Sequence, residues 1–279
     1  MTMLSINTNV GALQAARSSY SVNKSMEQSM ERLASGKRVN GAADDAAGLA
    51  IAQRLTAEIN GINQGIRNAS DAQGMLGVAE GALEQVHSLL LRMRELAVQS
   101  ANETVTAADR DMLQTEVAQL ETEIQRVVDD TTWAGITLLA GGFTTGATFQ
   151  IGPRNSDTIQ ISISAIEPLS TVALGGLSLV SHISLQPQAQ AYIVNIDNAI
   201  SIISADRAKY GATMNRLDHA MANLQNVATN LAVAKGRLED ADFAAESSNL
   251  ARTQVLQQAS MAMLAQANAS KQNILSLFQ

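Results

Sequence analysis

Cysteine is absent from the 279 residues, which removes disulfides, thiolate metal sites and thiol nucleophiles together. Aromatic residues make up only 3% of the chain, too few for a large globular core. The three prolines, Pro153, Pro168 and Pro187, fall in one central stretch, so the long segments on either side lack the residue that breaks helices. No apolar run approaches the roughly 20 residues of a membrane span, and no basic-then-apolar signal peptide opens the sequence. Membrane insertion is therefore not expected, and the protein stays in the cytosol or leaves by a route without a cleaved signal. With a formal charge of −7 and no basic patch interleaved with aromatics, nucleic acid is not an expected partner.

What is present is helical periodicity. Ile196, Ile200, Ile203, Arg207, Tyr210, Met214, Leu217, Met221, Leu224, Ala228, Leu231, Lys235 and Leu238 step alternately by four and three residues, an apolar seam with two charged interruptions. The N-terminal half repeats the step twice, in Ala79, Leu83, Val86, Leu90, Met93 and Ala97, and again in Leu113, Val117, Leu120, Ile124 and Val127. Between these runs lies Ser100-Ala101-Asn102-Glu103-Thr104. Thr106 follows, with Asp109 three residues on, the signature of a capping box that starts a new helix. The fold class expected is mainly α: an elongated antiparallel helical bundle or coiled coil built from both arms of the chain. The pattern alone also suits an unrelated soluble bundle.

The centre follows different rules. Residues 133–190 hold seven of the 18 glycines and only three charges, Arg154, Asp157 and Glu167. Thr148-Phe149-Gln150-Ile151 and Thr158-Ile159-Gln160-Ile161-Ser162-Ile163 alternate on either side of Gly152-Pro153-Arg154-Asn155-Ser156-Asp157, which predicts a β-hairpin in a small insert. Thr171-Val172-Ala173-Leu174 and Leu177-Ser178-Leu179-Val180 around Gly175-Gly176 suggest a second one. The termini differ again: residues 1–23 carry one charged side chain, Arg17, and residues 253–279 carry one, Lys271. Their thin apolar content reads either as disordered tails or as helices completed by packing against other copies.

Residues that invite catalytic readings have simpler ones. Asp44-Asp45 lacks a third ligand nearby and sits where a helix should begin, so helix-dipole stabilisation is the better account. His87, His182 and His219 are isolated, without a His-Glu-x-x-His pair. Gly74, Gly77 and Gly81 neither follow a strand nor precede a lysine, so close helix packing or local bending explains them better than a phosphate loop. No enzymatic activity, cofactor or metal is expected.

Several blocks resemble bacterial flagellin. They are Ile6-Asn7-Thr8-Asn9; Arg-Leu-Ala-Ser-Gly-Lys-Arg-Val-Asn at 32–40; Asp-Asp-Ala-Ala-Gly-Leu-Ala-Ile-Ala at 44–52; and Arg-Glu-Leu-Ala-Val-Gln-Ser-Ala-Asn at 94–102. Phe149-Gln150-Ile151-Gly152, Asp240-Ala241-Asp242-Phe243-Ala244, Gln254-Val255-Leu256-Gln257-Gln258-Ala259, Leu264-Ala265-Gln266-Ala267-Asn268 and Asn273-Ile274-Leu275-Ser276-Leu277 continue the resemblance to the C-terminus. Departures exist. Gly36-Lys37-Arg38-Val39-Asn40-Gly41 stands where Gly-Leu-Arg-Ile-Asn-Ser is commoner, and Phe278-Gln279 closes the chain where Leu-Arg is frequent.

The resemblance implies a structural subunit that self-assembles into the flagellar filament for motility, secreted through the flagellar type III apparatus and located outside the cell. It implies five segments: an N-terminal inner-core helix and spoke (1–42), the N-terminal part of the helical rod (43–140), a variable insert (141–186), the C-terminal part of the rod (187–238) and a C-terminal inner-core helix (239–279). Polymerisation contacts would involve Val255, Leu256, Met263, Leu264, Ile274, Leu275, Leu277 and Phe278, with the termini ordering on assembly to line the export channel. Partners implied are other copies, an export chaperone, the filament cap and hook-filament junction proteins. Host innate immune receptors would meet Arg92, Leu96 and Glu116. The alternatives are a hook-filament junction protein of the same family, or a surface adhesin or sugar-binding protein acting through the insert.

Overall fold

The computed structural model of the chain describes residues 8–142, 146–163 and 183–276. Five helices dominate it: α1 (Val10–Ser35), α2 (Ala46–Ser100), α3 (Ala107–Asp130), α4 (Gln186–Glu239) and α5 (Phe243–Ser276). The chain divides into two compact units, one of residues 60–228 and one of Met1–Ile59 with Thr229–Gln279.

In the first unit α2, α3 and α4 share one apolar core. Leu83, Val86, Leu90, Val117, Ile124, Ile196, Ile203 and Leu217 are buried, while Leu113, Leu120, Ile200, Met214 and Met221 pack against them half-buried. Burial weakens along the later part of the α4 seam, where Leu224 and Leu231 are half-buried. Polar pairs fix the helix directions: Arg94 meets Asp197 at 2.6 Å, Arg207 meets Glu80 at 2.7 Å and Gln73 donates to Asp218 at 3.0 Å, so α2 and α4 run antiparallel. Arg92 meets Glu116 at 2.8 Å and Arg110 donates to the Ser100 carbonyl at 2.9 Å, which sets α3 antiparallel to α2. The fold-back uses the expected capping box: the Asp109 N–H donates to the Thr106 hydroxyl, and the Thr106 N–H donates to the Asp109 carboxylate, both at 3.3 Å. Tyr192 is fully buried and donates its hydroxyl to Glu121 at 2.8 Å. Burial and the neighbouring carboxylate push its phenol well above the ordinary tyrosine range.

The insert packs onto this unit. Strands β1 (Thr132–Trp133) and β2 (Ile136–Thr137) form a short hairpin that the alternating pattern did not reveal, turning through Ala134 and Gly135 at φ 51° and 83°. An irregular turn at Leu138–Gly142 buries Leu138 and Leu139. The expected hairpin is β3 (Ala147–Gln150) with β4 (Thr158–Ile161), antiparallel, with Phe149 opposite Ile159. Its turn rests on α2: a Cβ on Gly65 would lie 2.1 Å from the Ile151 carbonyl oxygen, and Asn68 donates to the Gln150 carbonyl at 2.7 Å. Where the chain re-enters the core, the Ser100 hydroxyl donates to the Ile183 carbonyl and the Ile183 N–H donates to Gln114 at 2.6 Å. The second hairpin expected at 171–180 lies outside the described residues.

The glycine expectation needs correction. Gly74 does pack closely, 3.1 Å from the Trp133 ring by its would-be Cβ, but Gly77 and Gly81 face open space. Close packing of helix on helix is therefore seen at none of the three, since the neighbour of Gly74 is a ring of β1.

In the second unit α1 and α5 lie side by side. Asn9 caps α1, accepting from the Ala12 N–H at 3.0 Å, and Gly36 ends it in the left-handed region at φ 72°. Asp242 caps α5 by accepting from the N–H groups of Ala244 and Ala245. The Asp44-Asp45 pair divides its work. Asp45 accepts from the Gly48 N–H at 2.8 Å and caps α2, whereas Asp44 stays in the loop, accepts from Asn40 and Gly41, and is held below the usual carboxylate range by those backbone donors.

Candidate assembly surface

Three contacts between the two ends of the chain define the α1/α5 pair. The Asn9 side chain donates to the Ala267 carbonyl at 3.1 Å, Gln257 donates to Asn23 at 2.8 Å, and Arg32 approaches Glu246 at 3.7 Å. Residue numbers rise on one helix as they fall on the other, so the pair is antiparallel. Its seam keeps the four-three step but is built of small and polar residues. On α1 the covered positions include Ala12, Ala15, Ser19, Val22, Met26 and Ser29; on α5 they are Glu246, Leu250, Thr253, Gln257, Ser260, Leu264 and Ala267. Few of these bury much apolar area, so this seam contributes far less than the aliphatic seam of α2 with α4.

The large apolar side chains point elsewhere. Val10, Leu13 and Tyr20 of α1 and Val255, Leu256 and Met263 of α5 are exposed, Val255 to 66% and Met263 to 64%. Of the sequence-derived polymerisation residues, only Leu264 sits in the seam. Ile274 and Leu275 fall in the last turn of α5, and Leu277 and Phe278 lie outside the described residues. Val255, Leu256 and Met263 therefore do not share the covered face of Leu264. A groove of about 530 Å³ runs between the helices, with Val22, Leu256, Ala259 and Met263 on its walls.

The linkers are tied to each other. Lys37 pairs with Asp240 in an isolated antiparallel bridge, the Arg38 N–H donates to the Glu239 carbonyl at 2.6 Å, and the Ala241 N–H donates to the Gly36 carbonyl at 3.0 Å. The Lys37 ammonium also donates to the Glu239 carboxylate, whose pKa is held below the usual range chiefly by that bond, with Lys235 adding at 3.7 Å.

On the other unit the structure brings Arg92 and Glu116 together on the surface, with Glu95 completing the pair at 3.0 Å. These bonds, first to Glu116 and then to Glu95, raise the Arg92 pKa further. Leu96 is 1% exposed and belongs to the core beneath them. Among the described residues no group of His, Asp and Glu is arranged to hold a metal ion, and no helix is long and apolar enough to cross a membrane.

Residues 6–144 match the bacterial flagellin N-terminal helical region, and residues 193–278 match the bacterial flagellin C-terminal helical region. The chain belongs to the bacterial flagellins. It is similar to the flagellin of Halalkalibacterium halodurans, 40% identical over 276 residues that cover 98% of this chain and 99% of that one. The crystal structure of Bacillus cereus flagellin matches 61% of this chain and 94% of its own length, at a TM-score of 0.50 and 32% identity. A chain described as a flagellar hook-associated protein from Vibrio parahaemolyticus covers 71% of this one and is itself matched over 100% of its length, at a TM-score of 0.62 and 18% identity, which is a likeness of fold alone. This flagellin is accordingly a structural subunit that polymerises into the flagellar filament, and neither the junction-protein nor the adhesin alternative gains support. The aliphatic seam was readable as periodicity. The terminal seam was not, since most of its four-three step is carried by small and polar residues, with Val22, Met26, Leu250 and Leu264 the exceptions.

Proposed function

We propose that the outward apolar residues of the α1/α5 pair are the contact through which copies of this flagellin join. The carrying observation is the inversion just described: a two-helix pair with a mainly small, polar seam exposes Val10, Leu13, Tyr20, Val255, Leu256 and Met263, an arrangement that marks a surface to be covered. Other copies of the same pair supply that surface, with the groove beside Met263 and Leu256 receiving an apolar side of the neighbour. Placing Glu at Val255 and Leu256 tests this. Seeds of sheared filament, watched by electron microscopy, should elongate with the native chain and fail with the double variant, while circular dichroism of the two monomers stays alike. Native-rate elongation by the variant removes this surface from the assembly contact.

The same reading places the working location outside the cell, reached through the type III apparatus, with an export chaperone, the filament cap and hook-filament junction proteins as partners in transit and assembly. The five segments inferred from the resemblance serve this division of labour, the termini as inner core and the insert facing outward.

A receptor contact on the Arg92 side rests on the resemblance and on the exposure of two of its three residues. Arg92 and Glu116 present a charged surface, and Leu96 supports it from within rather than touching a partner. Because the Arg92–Glu116 pair is solvent-exposed, breaking it costs little stability. Arg92→Ala and Glu116→Ala are therefore expected to leave the monomer folded and to weaken activation of the flagellin-specific Toll-like receptor in a reporter-cell assay. Undiminished activation by both variants counts against the contact.

A further inference from the structure

In a chain without cysteine the thioethers are the most readily oxidised side chains, and the methionines differ widely in exposure, with Met30 on α1 at 44%. Met75 and Met93 are buried in the core of the helical unit. Met112 on α3 is 72% exposed, and on α5 Met261 is 57% and Met263 64% exposed. Met263 stands on the wall of the groove between α1 and α5, as do Leu256 and Ala259 of the same helix.

We propose that Met263, with Met261 on another side of the same helix, is an oxidation site that decides whether a subunit can join the polymer. The proposal rests on the assembly reading above. The oxidant is hydrogen peroxide: the sulfur lone pair attacks one peroxide oxygen, the O–O bond breaks, and proton transfer releases the second oxygen as water. Sulfur loses two electrons and becomes the sulfoxide, and peroxide is reduced. A flexible apolar side chain thereby becomes a polar acceptor on a surface that must be desolvated against a neighbour. Free subunits are open to this chemistry; subunits already in the polymer bury the same sulfur. Oxidation therefore stops growth without dismantling what has been built.

The test treats purified monomer with dilute hydrogen peroxide, maps sulfoxides by peptide mass spectrometry, and then offers the protein to seeds. Elongation is expected to slow at least tenfold in step with sulfoxide at Met261 and Met263. Treatment with methionine sulfoxide reductases for both epimers should restore it, a readout that needs no substitution. The Met261→Leu/Met263→Leu variant should keep its untreated rate after the same exposure, whereas Met112→Leu should lose elongation as the native chain does. Native-rate elongation by monomer carrying sulfoxide at both positions, or loss that persists in the double-leucine variant, overturns the proposal. Peroxide treatment of finished filaments separates the two readings. Rapid oxidation of Met263 there would count against the assembly surface itself, while protection in filaments with unimpaired oxidised monomers would sink only the oxidation site.

Discussion

Removal of residues 253–279 is expected to abolish seed elongation while leaving the unit of residues 60–228 folded. Among the described residues, the buried members of the main apolar core lie between Ala69 and Leu217, and none of them is on α5. The truncation does take away most of the α5 side of the α1/α5 seam, together with Val255, Leu256 and Met263. Ordering these 27 residues costs roughly 30 to 50 kcal/mol of backbone entropy at about 1–2 kcal/mol each. A seam of Thr253, Gln257, Ser260, Leu264 and Ala267 offsets little of that. The balance turns favourable only when neighbours cover the outward apolar side chains. Amides of α1 and α5 should therefore exchange freely in the monomer and become protected in the filament. A truncated chain that still elongates seeds, or terminal amides already protected in the monomer, contradicts the account.

Gly65→Ala and Gly81→Ala are expected to move stability in opposite directions, although both replace a glycine inside α2. Alanine is favoured over glycine in a helix interior by about 1 kcal/mol, and at Gly81 nothing lies within 4 Å to oppose that gain. At Gly65 the new Cβ would meet the backbone of Ile151 at 2.1 and 2.5 Å, and backbone cannot rotate away as a side-chain tip can. The β3–β4 turn must lift, which loosens the Asn68 bond to Gln150 and opens the contact with α2. Such overpacking typically costs 1–3 kcal/mol, and the lost hydrogen bond adds about 1 kcal/mol. The net change at Gly65 is a loss of about 1–3 kcal/mol in urea unfolding of the full chain. A stabilised Gly65→Ala would mean that the hairpin does not rest on α2.

The contrast between these glycines also marks where sequence reading succeeds. Leu83, Val86, Leu90 and the isoleucines of α4 reveal their helices because burial there demands large aliphatic side chains, so the periodicity of burial and of hydrophobicity coincide. The Thr106–Asp109 cap and the β3–β4 hairpin are equally legible, each being a local preference of a few residues. Gly65 is not, since a glycine inside a helical run announces no partner, and Gly77 and Gly81 show the same letter with open space around it. The α1/α5 pair fails in a different way. Ser260 and Gln257 face inward while Val255 and Met263 face outward, so a hydrophobicity pattern assigns the wrong side to the core. That inversion is what a surface completed by other molecules looks like from a single chain. The receptor side was readable only by resemblance, and the structure adds that Leu96 is covered whereas Arg92 and Glu116 are not.

The hydrogen bond from Asn9 to Ala267 joins residues 258 positions apart, close to the greatest separation the chain allows. Contacts of that range carry the largest loop-closure cost unless other contacts have already shortened the loop. The α2–α3 fold-back, by contrast, closes across a handful of residues and can form early. Topology therefore predicts an order of folding in which the α2–α3 fold-back precedes the pairing of the two chain ends. A chain missing its final residues can complete the first step but never the second.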